Sequence, residues 1–222
     1  MCPPMNVRSE ISAGLLGFLF VLVVLIGACK DARRSGSQES TGSATQSEIG
    51  SRYSFQAHLL RGNDAFDVLT EGTGSLKAMT IVHTENDIAD TVKEEIDGAV
   101  MSAACADLDR DSIPEVYVFA QSAGSGSHAN LYGFQFDRRG RQSIALPELD
   151  KRLSAGYLGH DTLWVQDSML VRAFPVYTEG DINASASGGT RTIEYALQRD
   201  RDGKLRLFAV RVINNRDLNV QH

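Results

Sequence analysis

Asp107, Asp109, Asp111 and Glu115 occupy positions 1, 3, 5 and 9 of the short stretch DLDRDSIPE. Oxygen side chains at this spacing can wrap a hard cation, and Ca2+ takes about six to eight oxygens. An EF-hand loop would carry Gly at position 6 and Glu at position 12, where this chain has Ser112 and Val118. The alternative is a solvated turn whose aspartates accept hydrogen bonds from nearby backbone amides. Calcium is therefore an optional ligand of the four carboxylates, and no cofactor is required.

Immediately downstream lies a loop of small residues, Ser122-Ala-Gly-Ser-Gly-Ser-His128. It contains no Pro, Asp or Asn, the residues that ordinarily build turns. Gly124 and Gly126 leave a backbone slim enough to enter a cleft, while Ser125, Ser127 and His128 add donors that can meet carboxylates. By composition alone it also reads as a flexible hairpin connection.

Catalytic patterns are missing. His58, His83, His128, His160 and His222 form no H-x-x-x-H or H-E-x-x-H pair, and no G-x-S-x-G elbow occurs. His160 stands beside Asp161, but neighbours in a strand point to opposite faces. Gly188-Gly189-Thr-Arg191 lacks the strand-to-helix setting of a phosphate loop and reads as a wide turn. Trp164, in TLWV, reads first as core. The chain is expected to bind, not to catalyse.

The elements that must position these groups are strands. Alternating or β-rich runs cover Tyr53–Leu60, Ser75–Thr84, Thr91–Ile96, Val100–Ala106, Glu115–Gln121, Ala129–Asp137, Thr162–Val165, Met169–Pro175, Arg191–Arg199 and Lys204–Ile213. Gln-Asp-Ser and Asp200-Arg-Asp-Gly203 supply hairpin turns between the last four. Pro147–Leu153 (PELDKRL) predicts a short helix, with Pro at its start, acids early and bases late. No internal repeat is apparent. Short strands at regular spacing predict an all-β fold, a single antiparallel sandwich or barrel-like domain over residues 52–222.

The remainder is delivery. Leu15–Ala28 is an apolar run of fourteen residues behind Arg8 and Glu10, the length of a signal core and short of a spanning helix. It ends in Ile26-Gly27-Ala28-Cys29, which resembles a bacterial lipobox. Residues 1–28 are thus expected to be a lipoprotein signal peptide, with Cys29 lipidated. Residues 29–51, rich in Ser, Gly and Thr, read as a flexible tether. Loss of the signal leaves Cys105 as the one cysteine besides Cys29, so an internal disulfide is excluded. The chain carries a net charge of −6, and removing Arg8 with Glu10 does not change it. Nucleic acid is disfavoured as a partner and a basic protein favoured.

Four blocks then carry a resemblance: ADLDRDSIPEVYVFAQSAGSGS (Ala106–Ser127), AGYLGHD (Ala155–Asp161), VRAFPVYTEGD (Val171–Asp181) and GGTRTIEYAL (Gly188–Leu197). In this order, within about Cys105–Val212, they resemble the bacterial periplasmic inhibitors of I-type (invertebrate-type) lysozyme. The resemblance implies a β-sandwich-like domain that pushes a Ser-Gly-x-Tyr loop into the lysozyme active-site cleft. It places that motif on Ser125, Gly126, Ser127 and His128, with an imidazole where the family has a phenol. It implies a lysozyme partner, of the I-type, and with the lipobox a membrane-anchored envelope protein facing the periplasm. A calcium-stabilised structural or binding module of the envelope is the alternative.

Overall fold

The computed structural model describes residues 52–138 and 140–215. The expected signal peptide, Cys29 and the tether through residue 51 lie outside the described residues, as does His222. The regular structure of the described chain is all strand: β1 (Tyr53–Arg61), β2 (Asp64–Glu71), β3 (Leu76–Glu85), β4 (Ile88–Asp97), β5 (Ala99–Ala106), β6 (Glu115–Gln121), β7 (Ala129–Asp137), β8 (Gly140–Ile144), β9 (Thr162–Gln166), β10 (Met169–Pro175), β11 (Thr190–Arg199) and β12 (Leu205–Asn215). They form three four-stranded antiparallel sheets, ordered β1-β2-β3-β4, β5-β6-β7-β8 and β12-β11-β10-β9. None closes into a barrel. The all-β expectation holds, and its sandwich alternative with it.

Each sheet is a meander in which a strand pairs with its neighbours in sequence. The same plan is therefore built three times, although no repeat is visible in the residues. The first hairpin of the last sheet turns on Asp167 and Ser168, at φ 49° and 60°. Two consecutive left-handed residues match the twist of the flanking strands. The last hairpin turns as expected from its sequence, with Asp200 N–H donating to the Lys204 carbonyl at 2.8 Å and Gly203 at φ 76°.

The sheets stack through two apolar layers that share the middle sheet. Val116, Val118, Phe134 and Phe136 pack with Phe66, Val68, Met79 and Ile81 of the first sheet. Tyr117 and Phe119, the alternate residues of β6, pack with Leu170, Phe174, Ile193 and Tyr195 of the third. Strand β6 thus buries both faces, which is why it reads as a continuous apolar run. Cys105 fills the first layer as a half-buried thiol, donating to the Leu60 carbonyl at 3.6 Å. Burial pushes its pKa up, as suits a packing residue. Trp164 is absent from both layers and lies half-buried, its indole N–H donating to Gln166 Oε1 at 3.0 Å. Its neighbours Leu163 and Val165 take the inward positions.

One further expectation is corrected, and two strands are added. The helix over Pro147–Leu153 is absent: Asp150 Oδ1 instead accepts the amides of Arg152 and Leu153, both at 2.8 Å, and the chain makes a capped turn over residues 151–156. Asp150 thereby caps a single turn, in which Ser154 N–H donates to the Asp150 carbonyl at 2.8 Å, and Gly156 at φ 75° ends it. Strands β2 and β8 have no counterpart in the reading above. β2 buries Phe66, Val68 and Thr70 at every second position, as regularly as β3 buries its own, but Asp64 and Asp67, residues depleted in strands, mask it; β8 buries only Ile144 and does not stand out from loop.

Candidate functional site

The acidic turn precedes β6 and the small-residue loop follows it, so one strand of seven residues, about 20 Å long, separates the two. The loop is closed at its mouth by Ser122 N–H on the His128 carbonyl at 2.9 Å and by His128 N–H on Ser122 Oγ at 3.0 Å. Inside it, Ser127, at φ 41°, donates its amide to the Gly124 carbonyl at 3.1 Å.

Two other segments grip one flank. His160 N–H donates to the Gly126 carbonyl at 2.6 Å, and Asn183 Nδ2 to the Ser125 carbonyl at 2.7 Å. Ala129 N–H, where the loop re-enters β7, donates to Asp161 Oδ1 at 2.7 Å. The approach at residue 159 admits only glycine: φ is +96°, and a Cβ there would lie 1.9 Å from the Gly126 oxygen. Ala123, Gly124 and Ser125 are left exposed, and the Ser125 hydroxyl has no hydrogen-bond partner among the described residues. Leu158 and Ile182, 49% and 68% exposed, belong to the same gripping segments and put apolar surface beside the tip.

The four expected contact residues therefore divide. Ser125 is at the tip, Gly126 and Ser127 form the gripped flank, and His128 stands at the base, exposed but turned toward Tyr157. His128 Nδ1 lies 3.0 Å from the Tyr157 hydroxyl. That hydroxyl donates to Asp161 Oδ2 at 3.1 Å and accepts from Arg172 Nη2 at 2.9 Å, while Arg172 Nε donates to Asp161 Oδ2 at 2.7 Å. Asp161 and Arg172 are 2% and 5% exposed, a buried ion pair with both partners hydrogen-bonded. Burial, then the Asp161 charge, raises the pKa of Tyr157 and keeps it a phenol. Tyr157, Asp161, Arg172 and Asn183 escape the reading by residue type. Only the His160-Asp161 neighbourhood hints at them; the two residues precede β9 and lie in no strand, and His160, at φ 58°, pairs its Nε2 with Asn183 Oδ1 at 3.2 Å.

At the other end of β6, the structure brings Asp107, Asp109, Asp111 and Glu115 together, each offering an oxygen within 4.8 Å of the others. Arg110 and Ser112 adopt φ 60° and 70°, which curls the turn so that its carboxylates converge. The aspartates also cap the turn: Ser112 N–H donates to Asp107 Oδ2 at 3.3 Å and Ile113 N–H to Asp111 Oδ1 at 2.9 Å. Two distant side chains complete the cluster. Gln135 Nε2 donates to Glu115 Oε1 at 3.1 Å and to Asp111 at 3.2 Å, and Arg199 Nη2 donates to Gln135 Oε1 at 2.7 Å.

Glu115 is fully buried. It accepts from the Leu108 amide at 2.8 Å and the Tyr117 hydroxyl at 3.1 Å. Burial outweighs these donors and, with the Asp109 and Asp107 charges, pushes its pKa up to about 8. Burial and the Asp111 charge likewise raise Asp109. Burial opposes Asp111 too, but its bonds from Arg199, Ile113 and Gln135 prevail and lower it. Asp107 Oδ1 is buried with no hydrogen-bond partner. The donor set is one of hard oxygens, and the orphaned Asp107 oxygen fits a cation. A cation there would compete with the Arg199 guanidinium and with a proton on Glu115.

No protein-family model matches this chain, and no curated protein sequence matches it.

Proposed function

We propose that this chain is a lysozyme inhibitor that places the tip of the Ser122–His128 loop in the active-site cleft of the enzyme. The observation that carries the reading is a slim exposed tip, Ala123-Gly124-Ser125, on a base clamped by Asn183, His160 and Asp161. A tip ordered in advance loses little entropy on docking. A glycosidase cleft presents two carboxyl groups flanking the scissile bond. The Ser125 hydroxyl donates to one of them and blocks substrate, and no turnover is involved. The net charge of −6 favours encounter with a basic enzyme, in a salt-dependent way. In this reading the partner is an I-type lysozyme, Cys29 carries a lipid, and residues 29–51 tether the domain at the membrane on the periplasmic side. The test is lysis of bacterial cells by I-type, C-type and G-type lysozymes in the presence of the chain. Slowed lysis by the I-type enzyme is expected, and undiminished lysis by all three sinks the proposal.

The second reading, a calcium-stabilised envelope module, is favoured by the buried, unpartnered Asp107 Oδ1 amid four convergent carboxylates. Asp107, Asp109, Asp111 and Glu115 would hold the ion, which would cross-link the turn leading into β6. The two readings are compatible, since β6 joins the turn to the loop.

A further inference from the structure

The hydrogen bonds around Tyr157 determine which nitrogen of His128 carries its proton. A hydroxyl has one hydrogen to give and two lone pairs to fill. Asp161 Oδ2, 3.1 Å away and paired with Arg172, can only accept, so the Tyr157 hydrogen is directed there. Arg172 Nη2, which can only donate, fills one lone pair of the Tyr157 oxygen at 2.9 Å. The remaining neighbour, His128 Nδ1 at 3.0 Å, must then donate to the second. The opposite assignment would leave the Tyr157 and Asp161 oxygens 3.1 Å apart with no proton between them. The same logic gives the other result at His160. Asn183 Nδ2 is spent on the Ser125 carbonyl, so Asn183 Oδ1 accepts, and His160 Nε2 is the donor.

We infer that His128 is held as its Nδ1–H tautomer by Tyr157, Asp161 and Arg172, which makes Nε2 a hydrogen-bond acceptor for a protonated carboxyl group of the partner. The partner's identity rests on the lysozyme reading above. Gly126 keeps the approach to that nitrogen open, because a Cβ at 126 would sit 2.7 Å from Nε2. A glycosidase keeps one of its two carboxyl groups protonated as the general acid. That O–H donates to His128 Nε2. If the proton crosses, the carboxyl oxygen keeps the electron pair, Nε2 gains the N–H bond, and a carboxylate–imidazolium pair results. The Nδ1–H bond to Tyr157 is the same before and after, so the ring need not turn. Tyr157, Asp161 and Arg172 are in this sense positioning residues for a contact that His128 makes.

The test is long-range 1H–15N correlation on the full chain labelled at histidine nitrogens, above pH 8 where an ordinary imidazole is uncharged. His128 is expected to carry its proton on Nδ1, with His160 as the internal opposite. Tyr157→Phe is expected to shift His128 toward Nε2–H, the form a free imidazole prefers. A wild-type His128 protonated on Nε2, or a tautomer unmoved by Tyr157→Phe, overturns the inference. When lysozyme is added, the 15Nε2 resonance is expected to move from that of a bare nitrogen toward that of a hydrogen-bonded or protonated one. An unchanged Nε2 in a complex that does inhibit overturns the acceptor role. An Nδ1–H tautomer in a chain that inhibits no lysozyme leaves the assignment of the proton standing and overturns the partner.

Discussion

Arg199, at the end of β11, bonds Asp111 in the turn before β6, with Nη2 and Oδ2 2.9 Å apart. The two residues are 88 positions apart in the chain, and the bond ties the third sheet to the entry of the middle one. Replacing Arg199 by Met removes this ion pair and the bond to Gln135, while retaining an apolar stem. The pair is partly exposed, so the expected loss is only about 1–2 kcal/mol, read as a lower midpoint in urea. A midpoint equal to wild type would make the pair a surface ornament.

Glu115 makes stability depend on pH in the unusual direction. Its folded pKa of about 8 lies above the ordinary glutamate value, so between about pH 4.5 and 8 the folded chain holds a proton that the unfolded chain has lost. Its contribution is full below that window and falls away as pH rises through it, by an amount on the order of a few kcal/mol. Thermal unfolding from pH 5 to 9 should show Tm declining, and Glu115→Gln should flatten that decline. A wild-type Tm that climbs with pH, with the same slope in the variant, would contradict the buried acid.

Calcium, if it binds, must displace that proton. Titration at pH 7 in two buffers of different ionisation enthalpy should reveal proton release along with binding. EDTA should lower Tm, and Asp109→Asn should lower it without further response to EDTA. A melting curve indifferent to both chelator and calcium would leave the four carboxylates as a turn closed by Arg199 and Gln135.

At the loop, the tip and the base can be separated. Ser125→Ala with His128→Ala should abolish lysozyme inhibition while leaving far-UV circular dichroism unchanged. Ser125→Ala alone removes an exposed hydroxyl that bonds nothing among the described residues, so it should weaken inhibition about tenfold with no change in Tm. Full potency in the double variant would move the binding surface elsewhere.

Much of this was open to a reading of residues alone. The strands with strong inward alternation, and the hairpins with their turn residues, are visible because burial repeats every second position. β8 is not, because it contributes only Ile144 to the interior, while β2 repeats in the same way through Phe66, Val68 and Thr70 but is masked by Asp64 and Asp67, residues depleted in strands. The four acids declare themselves by spacing, since one turn gathers them. Gln135 and Arg199, which close the cluster from 24 and 88 residues away, leave no local mark. Nor do Tyr157, Asn183 and Arg172, which serve the Ser122–His128 loop from other segments. Pro147–Leu153 shows the reverse case: its helix signal yields only a single turn, capped by Asp150 and ended at Gly156.

Because Tyr117 and Phe119 belong to one interior and Val116 and Val118 to the other, β6 is a party wall. Neither outer sheet can loosen without baring one side of the strand that both depend on. Three meanders that look independent on paper should therefore melt together, in one cooperative transition followed alike by Tyr fluorescence and by far-UV signal. Amide exchange should be slowest along Val116–Ala120, and the rate there should report the opening of the whole domain.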